Sequence, residues 1–144
     1  MGLENPVILL VEDCDSDALL IEQAFRKARV LNPIFRVSNG ADAVAYLRHQ
    51  RQFADQRSYP DPVFLLLDLR LPDISGYELL RWIRRTPAGK ELPVVMVTEQ
   101  GGEGEEEAAI AAGANAFFRK QIEFSSLVEM VRSIGAYWNL RTAS

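Results

Sequence analysis

One cysteine and one histidine occur in the 144 residues, and no apolar run approaches membrane-spanning length. A lone thiol, Cys14, cannot build an intramolecular disulfide framework. With only His49 beside it there is no Cys/His zinc cluster. A spanning helix needs roughly 20 apolar residues, and none is present. The opening MGLENPVILLVED has neither a basic region nor a small-residue cleavage site, so no secretory signal is read. A reducing cytoplasm is the expected compartment. Positive charge is also in short supply. Sixteen Lys and Arg against twenty Asp and Glu leave a net charge of −4, which gives no general attraction to nucleic acid or to an anionic membrane. No G-x-G-x-x-G follows the first apolar run, so dinucleotide binding lacks its signature. What is present, 48% hydrophobic and 25% charged residues, is the composition of an ordinary globular chain of one-domain size. A single domain over 1–144, with no attached output domain, is the expectation.

Apolar periodicity alternates between two kinds. PVILLVE (6–12), PIFRVS (33–38), VFLLLD (63–68), LPVVMVT (92–98) and NAFFRK (115–120) are short runs rich in β-branched and aromatic residues, which read as strands. Between them lie helical stripes. The first carries Ala18, Ile21, Phe25 and Ala28 and is expected to be capped by Asp15 or Ser16. The second, 40–50, turns Ala43 and Leu47 inward. The third, 75–85, opens with Ser75 and Glu78 at capping-box spacing. The fourth, GEEEAAIAAG, ends at Gly113, a natural left-handed cap. The last bears Leu127, Val131, Ile134 and Trp138. Residues 51–61 read as a polar loop. Five strands alternating with five helices predict an α/β fold: a flavodoxin-like (βα)5 sheet of five parallel strands in the order 2-1-3-4-5, helices on both faces.

In such sheets ligands sit outside the carboxyl ends of the strands, near the point where strand order reverses. Glu12 and Asp13 end the first strand, Asp68 the third, Thr98 the fourth and Lys120 the fifth. Three carboxylates so placed repel one another and need cations to stay ionised. Lys120 supplies one positive charge. A divalent ion is the natural source of the rest, and an all-oxygen donor set favours Mg²⁺ over zinc. A metal, a lysine and a hydroxyl around one central carboxylate make a phosphoryl-transfer site in which Asp68 is the nucleophile.

With VED after the first strand, LLLDLRLPDISGYELL around the third, PVVMVT on the fourth and GANAFFRK on the fifth, the chain resembles a response-regulator receiver domain over nearly its whole length. YLR near the end of the second helix, the loop 51–61 and the late YWNL are similar to the small regulators paired with bacterial phytochrome kinases. The resemblance implies that Asp68 accepts a phosphoryl group from a sensor histidine kinase. It implies that Asp13, Asp68 and the main-chain carbonyl of Arg70 bind Mg²⁺, with Glu12 acting mainly through water. Thr98 and Lys120 would contact the phosphoryl group, and Phe117 occupies the family's aromatic switch position. Output would pass through a downstream protein or phosphotransfer partner, or through a homodimer.

Three positions depart from the pattern or modulate it. Glu99 follows Thr98 where receivers usually carry a small residue, and borders the opening to Asp68. Gln121 follows Lys120 where many receivers have a cis proline, and an X–Gln bond is expected to be trans. Arg70 is a bulky cation expected to screen the acids. Cys14, beside an acidic pocket, is not expected to be redox-reactive. Tyr137 and Trp138 either cover the end of the last helix or anchor a partner. Two competing readings differ in class. A phosphohydrolase with an aspartate nucleophile needs a second acid two residues on, where Arg70 stands. A receiver-like binding module that signals without phosphate is kept alive by Glu99 and Gln121.

Overall fold

A computed structural model describes residues 6–99, 102–120, 123–138 and 140. Its strands are β1 (Ile8–Val11), β2 (Ile34–Val37), β3 (Phe64–Asp68), β4 (Val94–Thr98) and β5 (Ala116–Arg119). They form one parallel sheet in the order β2-β1-β3-β4-β5, as expected. The helices are α1 (Asp15–Lys27), α2 (Gly40–Leu47), α3 (Gly76–Arg85), α4 (Glu105–Ala112) and α5 (Phe124–Tyr137). Period-2 alternation along the central strands divides the interior in two. Leu9, Val11, Leu65, Leu67 and Met96 pack under α2, α3 and α4, whereas Ile8, Leu10, Phe64, Leu66, Val95 and Val97 pack under α1 and α5. The three central strands are therefore wholly buried, which is why they read as unbroken apolar runs. The edge strands β2 and β5 are covered less completely, as position at a sheet edge dictates.

Several local expectations change. α1 is capped by Cys14, not Asp15 or Ser16: Cys14 is extended, its carbonyl accepts from Ala18 N, and no side chain caps the helix. α2 stops at Leu47, because His49 and Arg51 take positive φ (55° and 54°) and turn the chain into a short 3₁₀ helix, Arg51–Phe53, within the supposed loop. Tyr46, one residue from the predicted Leu47, is the fully buried anchor there and donates from its hydroxyl to the Pro60 carbonyl. Ser75 caps α3 by accepting from Glu78 N, and Gly113 ends α4 at φ 115°, both as expected. Trp138 packs edge-on against Phe64 with centroids 5.5 Å apart, and Tyr137 lies over Trp138 with 80% of its surface exposed. Among the described residues no helix is long and apolar enough to cross a membrane.

Candidate functional site

β1 and β3 are neighbours, but their helices lead away in opposite directions, α1 to β2 and α3 to β4, which opens a crevice at their carboxyl ends. Glu12 and Asp13 follow β1 at this crevice, and Asp68 is the last residue of β3. Carboxylate oxygens of Glu12, Asp13 and Asp68 all lie within 4.8 Å of one another. Lys120, which follows β5, reaches across to Glu12 Oε1 at 2.7 Å and to Asp68 Oδ2 at 3.4 Å. Its backbone N–H donates to the Thr98 carbonyl at 2.7 Å, which binds the ends of β4 and β5 together. Thr98 is completely buried behind the crevice, and Phe117 is half-buried against the core under α2, α3 and α4.

The loop after β3 is held tightly. Arg70 N donates to Asp68 Oδ1 at 3.0 Å, Arg70 and Ser75 form an isolated bridge, and Gly76 N donates to the Leu69 carbonyl at 2.8 Å. A Cβ at Gly76 would come within 2.7 Å of the Asp68 carbonyl, so only glycine lets α3 start this close to β3. Asp73, further along the loop, accepts from Gly40 N and Ala41 N at 2.8 and 2.9 Å and so caps α2 from outside.

Asp68 is buried, at 5% relative exposure, although a strand-end acid reads as exposed. The side chains of Lys120 and Glu12 and the Arg70 backbone close over it. Glu12 is inaccessible to solvent, and burial pushes its carboxyl up to about 7; the Asp68 charge adds to the rise, while the Lys120 bond opposes it. For Lys120 burial pulls downward, but the hydrogen bond and charge of Glu12 overcome it, and the ammonium is held above the ordinary lysine range. The two directions have different causes: burial for Glu12, and, against burial, the hydrogen bond and charge of Glu12 for Lys120.

Asp17 was missed by sequence reasoning. Its Oδ2 lies 3.0 Å from Lys120 Nζ. Its place in the first turn of the helix that leaves the crevice was the available signal. Arg36, on β2, was missed as well; it donates to the Glu12 carbonyl at 2.8 Å and to Asp15 at 2.7 Å. Arg70 does not screen the acids: its guanidinium pairs with Glu105 at 2.8 Å. Glu99 is exposed and stands on the rim of the acid cavity, which has a volume of about 250 Å³. Gln121, expected to follow Lys120 through a trans bond, lies outside the described residues. A larger cavity, about 430 Å³, opens at the opposite end of the sheet beside Arg48, Trp82 and Leu92 and contains none of these acids.

The acids fit a hard divalent ion. An Mg²⁺ ion takes oxygen ligands at about 2.1 Å and uses one or two carboxylates with water completing its shell. Carboxylate oxygens this close, with no sulfur or imidazole among them, match that chemistry. Burial and the neighbouring Asp68 both disfavour ionised Glu12, and a cation among these carboxylates would offset them.

A parallel 2-1-3-4-5 sheet with this acid cluster and lysine at its carboxyl edge defines a receiver-type phosphoacceptor fold. The response regulator receiver domain family matches residues 8–132, and the chain belongs to that family. It is 32% identical over 136 residues to response regulator Rcp1 of Synechocystis sp., covering 93% of this chain and 90% of that protein. The Mn²⁺-bound structure of Rcp1 superposes with a TM-score of 0.82 at 31% identity, covering 96% and 97% of the two chains. The phosphorylated cyanobacterial phytochrome response regulator RcpA is similar at 30% identity and a TM-score of 0.84, over 97% and 99%. RPA3017, a response regulator in red light signaling of R. palustris, is similar at 29% identity and a TM-score of 0.87, over 96% of both chains.

Proposed function

We propose that this chain is a two-component response regulator that accepts a phosphoryl group on Asp68 in the presence of Mg²⁺. The observation that carries the reading is the convergence of Glu12, Asp13 and Asp68 beside the Lys120 ammonium. Asp13, Asp68 and the Arg70 carbonyl would hold the ion, with Glu12 acting through water. When bound, the ion supplies positive charge that offsets the developing charge of phosphoryl transfer. An Asp68 oxygen attacks phosphorus, the bond from phosphorus to the donor nitrogen or oxygen breaks, and its electron pair leaves with the donor. The product is an acyl phosphate. Lys120 turns from Glu12 toward the new phosphoryl oxygens, and the Thr98 hydroxyl donates to one of them. Phe117 fills the space that Thr98 leaves, which alters the surface of α4, β5 and α5.

Similarity to a phytochrome response regulator and to a response regulator in red light signaling supports a phytochrome-type sensor histidine kinase as donor. Output then goes to a downstream protein or phosphotransfer partner, or to a second copy of the chain. Exposed Tyr137, tilted against Trp138, is a candidate anchor for that contact. The phosphohydrolase reading lacks its second acid, since Arg70 occupies the position and its side chain points to Glu105. The test is intact mass after incubation with Mg²⁺ and acetyl phosphate. One phosphoryl group should be gained, and the gain should vanish in Asp68→Asn. Steady phosphate release from unrelated esters would instead favour the hydrolase, and a folded protein without adduct from any donor would favour a phosphate-independent binding module.

A further inference from the structure

We infer that Glu105 is a competitor for the phosphorylation site: it holds the Arg70 guanidinium away from Asp68, and a phosphoryl group on Asp68 draws that cation back and frees the first turn of α4. The inference rests on the phosphoacceptor reading of Asp68 and adds a regulatory pair to it.

The Arg70 backbone is pinned on both sides, by its N–H to Asp68 Oδ1 and by its bridge to Ser75. Its side chain is 63% exposed and borders two hollows, the acid cavity and a second one of about 530 Å³ bounded by Tyr77 and Glu105. Rotation of the side chain alone therefore moves the charge from one hollow to the other. At present Nη2 lies 2.8 Å from Glu105 Oε2. Glu105 is a junction. Its Oε1 accepts from Gly102 N at 2.9 Å, and its carbonyl accepts from the Tyr77 hydroxyl at 3.2 Å. The start of α4 is thus tied to the loop after β3, to α3 and to its own preceding loop through one residue.

α4 has little else to hold that end. Gly104 is its N-cap and offers no side chain, and Glu105, Glu106 and Glu107 crowd the first turn. Only Ala109 and Ala112 of the helix are buried. An exposed ion pair by itself would contribute little. Here the pair matters because both its ends touch functional elements, Arg70 at Asp68 and Glu105 at α4. By analogy with phosphorylated hydroxyls, the phosphoryl group carries about −1.5 to −2 charges on three acceptor oxygens, replacing the carboxylate charge of Asp68, so the net gain is about one charge. A guanidinium can pair bidentately with that group as with a carboxylate, and meets more negative charge there. Coupling of this kind is reciprocal: if phosphorylation weakens the Arg70–Glu105 pair, the pair opposes phosphorylation.

The test uses the full chain with Mg²⁺ and acetyl phosphate, reading the ratio of phosphorylated to unmodified protein by intact mass. Glu105→Gln keeps an acceptor for Gly102 N and loses the charge. It should raise the ratio about two- to fivefold, the range an exposed pair commands. In an Arg70→Ala background the same substitution should change nothing. Hydrogen exchange in the first turn of α4 should quicken on phosphorylation of the parent and already be quick in unphosphorylated Arg70→Ala, which breaks the pair from its other end. An unchanged ratio in folded Glu105→Gln overturns the inference, and so does an equal rise with and without Arg70. Should Glu105→Gln fail to fold, unaltered exchange in Arg70→Ala overturns it. A parent chain that forms no adduct removes the phosphoacceptor reading itself, whereas an adduct indifferent to Glu105 removes only the pairing.

Discussion

Lys120 Nζ lies 2.7 Å from Glu12 Oε1, and Glu12 has no solvent-accessible surface. The lysine is therefore the compensating charge of a buried acid as well as a candidate ligand for phosphate. Breaking such a pair from one side leaves the other charge unmatched, at a cost of about 3 kcal/mol or more. Lys120→Met should lose stability on that scale in urea denaturation without divalent metal. The loss should be smaller near about pH 6 than near about pH 8, because without the lysine Glu12 escapes by taking a proton, and that costs more the further the pH lies above its ordinary value. Equal losses at both would mean that Glu12 is not the group Lys120 compensates.

Glu12 also predicts the direction of a pH effect in the parent. Its carboxyl, pushed up by burial to about 7, stands above the ordinary value of 4.5. A raised folded value means that this group's contribution to stability is complete below the ordinary value and is lost as pH climbs through the folded one. In chelator, parent stability measured relative to Glu12→Gln should fall between those limits. Mg²⁺ should flatten the fall by favouring the ionised form. A relative stability that rises with pH over the same interval would contradict the assignment.

Asp73 links the loop after Asp68 to α2 by accepting from Gly40 N and Ala41 N. Burial works against its ionised form, but these backbone bonds more than offset that and hold its carboxyl below the usual range. The contribution is accordingly present above the ordinary aspartate value and lost on acidification. Asp73→Ala should cost about 1 kcal/mol near neutral pH, typical of a lost helix cap. Hydrogen exchange should show the loss at the start of α2, while the α5 amides change only with global stability. Undiminished protection at α2 would show that Asn39, which accepts from Asp42 N, is cap enough.

Glu99 stands on the rim of the acid cavity, where its charge would oppose an incoming anionic donor. A small donor meets that repulsion without compensation, whereas a kinase gains docking contacts elsewhere. Glu99→Ala should speed modification by acetyl phosphate more than modification by the kinase, by a factor of about two to five for one exposed charge. Equal acceleration of both, or none, would leave Glu99 with no gating role.

Much of this architecture is legible because the central strands are buried on both faces. VILLV, FLLLD and VVMVT admit no amphipathic reading; the first gap leaves room for helix, strand and helix, and the second for one helix. The acids at the strand ends then follow from sheet order alone. The unread parts depend on partners distant in sequence. Asp17 joins the site because Lys120, 103 residues away, reaches it. Asp68 is buried because Glu12 and Lys120, which follow β1 and β5, close over it, which its own neighbours do not disclose. Arg70 pairs outward because α4 places Glu105 beside it. The early end of α2 reflects backbone turns at His49 and Arg51; positive φ is uncommon outside glycine, and arginine gives no signal for it.

The central claim, that Asp68 receives the phosphoryl group under metal control, is tested most directly by intact mass spectrometry of four samples: parent with Mg²⁺ and acetyl phosphate, the same with chelator, Asp68→Asn, and Asp13→Asn. The account predicts one added phosphoryl group in the first sample, none in the second and third, and a strongly reduced yield in the fourth. A phosphoryl adduct that persists in Asp68→Asn, or forms equally well in chelator, would contradict it.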